Sequence, residues 1–240
     1  MGNRQQELNC LQNSKKFIST NNSVYKYLKI AKSNPKTSDF PDFIFDSGFI
    51  EHFQVTSAME TKKGDKHRIA ESDFDKESER FLEELKTKYV NSKPCPGTVT
   101  TDVWEMDTPK YSYEYFSESF KRNFEKHIES LDKYQGDKSI GIFLVECSGA
   151  RIKIMKNGCF LKFYKIEYDK DMLLYLQDFS DKLKYIIIFW GDTQGDVKGD
   201  RSCEIIELSR ILNMLSKVPK DISFEIGRMR NIRISSFFDI

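Results

Sequence analysis

The residues best suited to chemistry are two carboxylates nine positions apart, Asp42 and Glu51. Glu51 lies in an apolar run over residues 49–56, and the side chains of a strand alternate between its two faces. Glu51 therefore shares a face with Phe49, Phe53 and Val55. A carboxylate among apolar neighbours is costly unless it meets a cation, a hydrogen-bond donor or a metal ion. The pattern predicts such a partner for Glu51.

Asp42 precedes a second apolar run, and the turn signal Asp46-Ser47-Gly48 between the runs predicts a β-hairpin. Any hairpin loop with an even number of residues puts Asp42 and Glu51 on one face. A two-residue loop at Ser47 and Gly48 makes them diagonal neighbours, whereas a four-residue loop over 45–48 makes them directly opposite. Facing carboxylates repel each other, and a divalent cation between them would remove the repulsion. Hard oxygen ligands of this kind suit Mg²⁺ or Mn²⁺.

The elements that must position these residues follow from hydrophobic periodicity. Helical patterns cover residues 5–32, with a break at 19–22, and then 72–89, 113–134, 171–183 and 203–216. Strand patterns cover 49–56, 139–147, 158–168, 185–190 and 222–235. Continuous apolar strands separated by helices are typical of a sheet that is covered on both faces. The sequence therefore predicts an α/β fold with a mixed central sheet flanked by helices, in one domain.

Pro41-Asp42 followed by Glu51 resembles the signature of the PD-(D/E)XK nuclease superfamily, and the helices around the hairpin match the order of that family's core. The resemblance implies a restriction-endonuclease-like core over 39–147, preceded by N-terminal helices over 5–32. Residues 148–240 would then be a C-terminal strand-helix elaboration of one domain spanning 1–240. The resemblance also implies metal-dependent hydrolysis of nucleic-acid phosphodiesters. Asp42 and Glu51 would bind the Mg²⁺ or Mn²⁺ that activates water and stabilises charge on the phosphate.

The chain departs from the family signature at the lysine position, which is occupied by Phe53. A β-bulge would bring Gln54 to the face of Glu51, so that the amide could replace the lysine. Alternatively, Lys62 or Lys63 in the following loop would supply the cation. If none of these residues takes the role, the fold is retained and catalysis is lost. The candidate catalytic residues are therefore Asp42, Glu51, Gln54, Lys62 and Lys63.

A basic cluster follows the hairpin, and its interpretation stays open between phosphate contacts beside the metal site and a solvated loop. The nucleic-acid-binding candidates in it are Lys62, Lys63, Lys66 and Arg68. Two further polar residues lie on predicted strands. His52 shares a face with Ile50, where a hydrogen-bonded polar side chain is the simpler interpretation. Glu146 ends a buried strand, where it either joins a site or pairs with Arg151.

Composition limits the function classes. The net charge is +1, so attraction to nucleic acid, with DNA the expected partner, requires a local basic patch. Five scattered cysteines without a C-x-x-C pair exclude a disulfide framework and a zinc knuckle. The longest apolar run, 185–190, is too short to cross a bilayer, so a cytoplasmic location without membrane contact is expected. A Lys-, Ile- and Asn-rich composition indicates an AT-biased, bacterial genome.

Two functions from different classes follow from these observations. The first is a metal-dependent nuclease, placed by expectation in a bacterial defence or mobile-element system. The second is a non-catalytic interaction or scaffold protein on an inactive nuclease-like fold. A nuclease requires carboxylates that converge with a cation in a cleft, whereas a scaffold requires only an apolar surface patch. The sequence leaves the oligomeric state open.

Overall fold

The computed structural model of the protein describes residues 2–36, 40–59, 101–106, 111–191, 202–226 and 228–232, with six isolated helical positions between 76 and 87. Five helices lie in these ranges: α1 (Gly2–Phe17), α2 (Tyr25–Ile30), α3 (Tyr113–Lys133), α4 (Lys170–Gln177) and α5 (Ile211–Leu215). Short 3₁₀ turns cover Ile166–Tyr168 and Leu208–Arg210. No helix among the described residues is both long enough and apolar enough to cross a membrane.

The strands form three sheets. The first sheet contains β1 (Lys32–Ser33), β2 (Phe43–Phe45), β3 (Gly48–Thr56), β5 (Ile140–Ser148), β8 (Tyr185–Trp190) and β9 (Ser202–Glu207) in that spatial order. The second has the order β10 (Ser223–Ile226), β6 (Ile152–Lys156) and β7 (Cys159–Phe163). The third pairs β11 (Arg228–Ile232) with β4 (Thr101–Met106).

The central sheet is mixed, as predicted. Strands β3, β5 and β8 run parallel, while β2 and β9 pair antiparallel with the two outer members of that trio. The three parallel strands are almost continuously buried, because helices cover both faces of the sheet. The predicted strands over 49–56, 139–147 and 185–190 are therefore confirmed as neighbours in one sheet.

Helix α3 covers one face of the sheet. It begins at the cap residue Ser112, whose side-chain oxygen accepts a hydrogen bond from the Tyr115 N–H at 3.1 Å. The side chains that recur at about one turn are buried against the sheet, as predicted for 113–134: Phe116, Phe120, Phe124, Ile128 and Leu131. Helices α1 and α2 supply the buried side chains on the opposite face. In the N-terminal region, helix α1 ends at Phe17, just before the break predicted at residues 19–22.

The hairpin loop differs from both predicted loops. Phe45 pairs with Gly48, so the loop contains only Asp46 and Ser47. The pairs Ile44↔Phe49 and Phe43↔Ile50 continue this register and bring Asp42 opposite Glu51. The loop therefore has two residues, yet the register is that of the four-residue alternative.

The segment 203–216 is not one helix, and this prediction was wrong. Residues Ser202–Glu207 form the edge strand β9, and only Ile211–Leu215 are α-helical. Pairing with β8 outweighs the helical periodicity here, because β9 hydrogen-bonds along the whole of β8 and buries Ile206 in the core. The apolar stripe predicted for the helix over 72–89 lies outside the described residues, although the described positions among them are helical.

The packing of α3 on β3 can be tested through Phe124, which is fully buried and contacts the rings of Phe53 and Phe143. We expect Phe124→Ala to lower the free energy of unfolding by about 3–5 kcal/mol, because the substitution leaves a cavity. The matched control is Phe160→Ala, since that ring is half exposed and should cost about 1 kcal/mol. Urea denaturation measures both, and equal losses would contradict this core.

Candidate functional site

The two predicted carboxylates meet where β2 begins beside β3. The backbone N–H of Asp42 donates a hydrogen bond to Glu51 Oε2 at 3.1 Å. In return, the backbone N–H of His52 donates to Asp42 Oδ2 at 2.8 Å. Each carboxylate is thus held by the strand that carries the other. The prediction that Asp42 and Glu51 lie on one face of the hairpin agrees with this register.

Helix α3 adds His127 to the carboxylate pair. His127 Nδ1 lies 2.7 Å from Glu51 Oε1, and the imidazole stacks on the ring of Phe53 with centroids 4.6 Å apart. Phe53 of β3 therefore supports an imidazole that comes from a different element. Sequence reasoning missed His127. The available signal was its position three residues after Phe124, at the edge of the buried stripe of α3.

Burial sets the charges of this cluster. It raises the pKa of Glu51 to about 8, while burial and the neighbouring Glu51 charge raise the pKa of Asp42 to about 6. Burial also lowers the pKa of His127 to about 4. Glu51 and His127 lie within ion-pair distance, but the shifts of both groups favour the uncharged hydrogen-bonded pair at neutral pH. We therefore assign the negative charge of the cluster to Asp42.

A second polar cluster lies on the opposite face of β3, toward α1. Its centre is Glu146 of β5, whose Oε2 lies 3.2 Å from His52 Nε2. The same oxygen accepts hydrogen bonds from Gln54 Nε2 at 3.0 Å and from Gln6 Nε2 of α1 at 3.2 Å. Burial raises the pKa of Glu146, but the hydrogen bonds from His52, Gln54 and Gln6 hold that pKa below its ordinary value.

Gln54 belongs to this second cluster and not to the Asp42–Glu51 pair. The pairing of β3 with β5 is uninterrupted from Gly48↔Ile140 to Thr56↔Ser148, so the bulge that would turn Gln54 toward Glu51 is absent from this pairing. His52 is hydrogen-bonded, as expected, and its partner is Glu146, which was predicted either to join a site or to pair with a cation.

The basic candidates Lys62, Lys63, Lys66 and Arg68 lie outside the described residues, so their phosphate-binding role stays a prediction. The described region nonetheless contains an open cleft of about 640 Å³, which is lined by residues near Asp42 and His127 in sequence but not by Asp42, Glu51 or His127 themselves. Phe40 and Ile44, which flank Asp42 in sequence, line one wall. The other wall is lined by two residues of α3, Ser130, which lies about one turn after His127, and Lys133.

The raised pKa of Glu51 makes the stability of the metal-free protein depend on pH. Its favourable contribution is complete below the unfolded value near 4.5 and is lost as the pH rises through about 8. The shifted titrations of Asp42 and His127 lie mainly below about pH 7, and Glu204, whose pKa burial raises to about 7, is the same in both proteins, so comparison with a Glu51 variant isolates Glu51. Between about pH 6.5 and 8, the free energy of unfolding of the wild-type protein should fall as the pH rises. In Glu51→Gln, we expect this fall to be smaller by roughly 1 kcal/mol per pH unit.

Urea denaturation in the presence of a chelator measures this slope. The exposed residue Glu129, on the same helix as His127, provides the matched control, and Glu129→Gln should keep the wild-type slope. Parallel curves for wild type and Glu51→Gln would show that Glu51 ionises normally in the fold.

Comparison of the chain with protein-family models, with curated proteins and with solved structures found no match.

Proposed function

We propose that this protein is a metal-dependent nuclease that hydrolyses phosphodiester bonds, with Asp42 and Glu51 as the ligands of Mg²⁺ or Mn²⁺. The observation that carries the proposal is the pair of backbone hydrogen bonds that holds the two carboxylates side by side. Glu51 accepts from the Asp42 N–H, and Asp42 accepts from the His52 N–H. The order of elements supports it, because a helix and the hairpin are followed, after the helical positions between 76 and 87 and strand β4, by helix α3 and the parallel strand β5.

The residues of this site fit a hard divalent cation. Two carboxylates supply the oxygen ligands that such ions prefer. Burial opposes the ionisation of both groups, and the charge of Glu51, when it is ionised, further raises the pKa of Asp42. A cation would relieve that repulsion, so binding energy is available at this position without a change of fold.

A bound divalent ion would supply Lewis-acid activation of the phosphate and of an attacking water molecule. The protein's own contribution comes from α3 and β3. His127, which is neutral at pH 7, lies against Glu51 and can accept a proton when that carboxyl group ionises. Phe53 stacks on the imidazole and fixes its plane. In this proposal, His127 compensates for the missing strand lysine.

The cleft lined by Phe40, Ile44 and α3 suits a nucleic-acid strand, for which we propose DNA. Lys36 and Lys133 line it and can contact phosphates, while Phe40 and Tyr134 offer aromatic faces on which bases can stack. This local arrangement meets the requirement set by the net charge of +1, because binding does not need a basic surface over the whole protein.

The proposal predicts that Glu51→Gln and Asp42→Asn abolish cleavage, because each removes a charged ligand of the metal while conserving side-chain volume. The assay is cleavage of single- and double-stranded DNA and RNA with Mg²⁺ or Mn²⁺, with a chelator as the blank. Glu129→Gln should cleave at the wild-type rate. Cleavage that persists in Glu51→Gln would exclude this site as the catalytic centre.

His127 allows an independent test. We expect His127→Gln to reduce the cleavage rate by roughly 100-fold or more, the range found for a lost acid–base group. Mn²⁺ affinity should change much less, since Asp42 and Glu51 remain. Mn²⁺ titration by electron paramagnetic resonance, together with the rate, separates these effects. An unchanged rate would assign His127 a purely structural role.

The alternative function is a non-catalytic scaffold on the same fold, and Phe53 at the lysine position is the observation that favours it. Metal binding without cleavage of any substrate would support this alternative. For either function, the setting we propose is the cytoplasm of a bacterial cell, in a defence or mobile-element system.

A further inference from the structure

A thiol, an imidazole and a carboxylate converge between α1 and the sheet. They belong to Cys10 of α1, His52 of β3 and Glu146 of β5, and one ligand-type atom of each lies within 4.8 Å of the other two. Three separate elements supply these groups, so their convergence results from tertiary packing. Cys10 is 1% exposed and His52 is 9% exposed, which means that the polar groups were brought into the interior.

The surroundings orient these groups as a metal site would require. Gln6 and Gln54 both donate hydrogen bonds to Glu146 Oε2, which fixes the carboxylate on the side of the cluster. Outer hydrogen bonds of this kind commonly hold metal ligands in place. Gln6 precedes Cys10 by one helical turn, so one face of α1 carries both the candidate ligand and an orienting amide.

Ser14 provides a second, independent observation. It follows Cys10 by one turn, is fully buried, and its hydroxyl oxygen finds no conventional hydrogen-bond partner in the described part of the chain. The thiol groups of Cys10 and Cys203 lie beside it. A hydroxyl donates well to a thiolate but gains little from a neutral thiol, which is a weak partner. The Ser14 hydroxyl would therefore gain a good hydrogen-bond acceptor if metal binding removed the proton from the Cys10 thiol.

We propose that Cys10, His52 and Glu146 bind a divalent transition-metal ion of the zinc class. The combination of sulfur, nitrogen and oxygen donors selects such an ion over Mg²⁺, which prefers oxygen ligands alone. Three protein ligands leave a fourth coordination position for water or for a further group. This site lies on the opposite face of β3 from Asp42 and Glu51, and the inference does not rest on the proposed nuclease function.

The site would also act on the neighbouring carboxylates through the backbone. The N–H of His52 donates to Asp42 Oδ2, so an ion that fixes the His52 side chain also fixes the residue that positions Asp42. In this arrangement the zinc-class ion has a structural effect on the first cluster, while its own ligands remain separate from that cluster.

The test is Co²⁺ binding to the reduced full-length protein, followed by displacement with Zn²⁺. A cobalt–thiolate bond gives a near-ultraviolet charge-transfer band that oxygen-only sites lack. We expect one equivalent of Co²⁺ to produce this band, Zn²⁺ to abolish it, and excess Mg²⁺ to leave it unchanged. No thiolate band with Co²⁺, or a band that Mg²⁺ removes, would overturn the proposal.

Variants assign the ligands. Cys10→Ser should abolish the band, and the matched control Cys159→Ser, at an exposed cysteine, should keep it. Because Cys10 is fully buried, the partly buried Glu146 gives a second variant, and Glu146→Gln should weaken Zn²⁺ binding by at least about tenfold. Circular dichroism checks that each variant is folded. A band that survives in Cys10→Ser, or unchanged affinity in folded Glu146→Gln, would refute the site.

Glu51→Gln separates this inference from the nuclease proposal. The thiolate band should persist in that variant even if all cleavage is lost. Loss of the band in folded Glu51→Gln would mean that the cobalt–thiolate site depends on the carboxylate pair, and the proposed separate zinc-class site would be wrong.

Discussion

The structure depends on the burial of β3 from both sides. Its parallel pairing with β5 and the helices on its two faces exclude water from nearly the whole strand. Polar side chains on β3 must consequently find partners within the protein. Glu51 hydrogen-bonds with the backbone of Asp42 and with His127, and His52 hydrogen-bonds with Glu146. The two polar clusters are therefore direct consequences of placing charged and polar residues in an interior strand.

The two clusters meet this requirement in different ways. On the α3 face, burial favours neutral forms, so that Glu51 and His127 share a hydrogen bond without an ion pair at neutral pH. On the α1 face, three nitrogen donors surround one oxygen of Glu146 and favour its charged form. Glu51 is thus protonated and Glu146 ionised at neutral pH, and the difference arises from the deeper burial of Glu51 and from the hydrogen bonds that Glu146 receives.

The sequence was sufficient to predict much of the fold and part of the site. Continuous apolar runs identified the three central strands, and the even-loop argument placed Asp42 beside Glu51. The runs could not reveal that 203–216 opens with a strand, since its helical periodicity is overridden by pairing with β8. The clusters that His127 and Cys10 join could not be predicted either. Each reaches its cluster through the packing of a whole helix on the sheet, and no local spacing encodes the distance between a helix and a strand.

The alternation of β3 has an evolutionary consequence. Glu51 and Phe53 belong to one cluster, while His52 and Gln54 belong to the other, because successive side chains of a strand point to opposite faces. Insertion or deletion of a single codon within this strand would exchange the two sets and turn each toward the wrong helix. Neither cluster could then be repaired by a nearby point mutation. This segment should therefore tolerate substitution far better than changes in length, and the two clusters should be inherited or lost together.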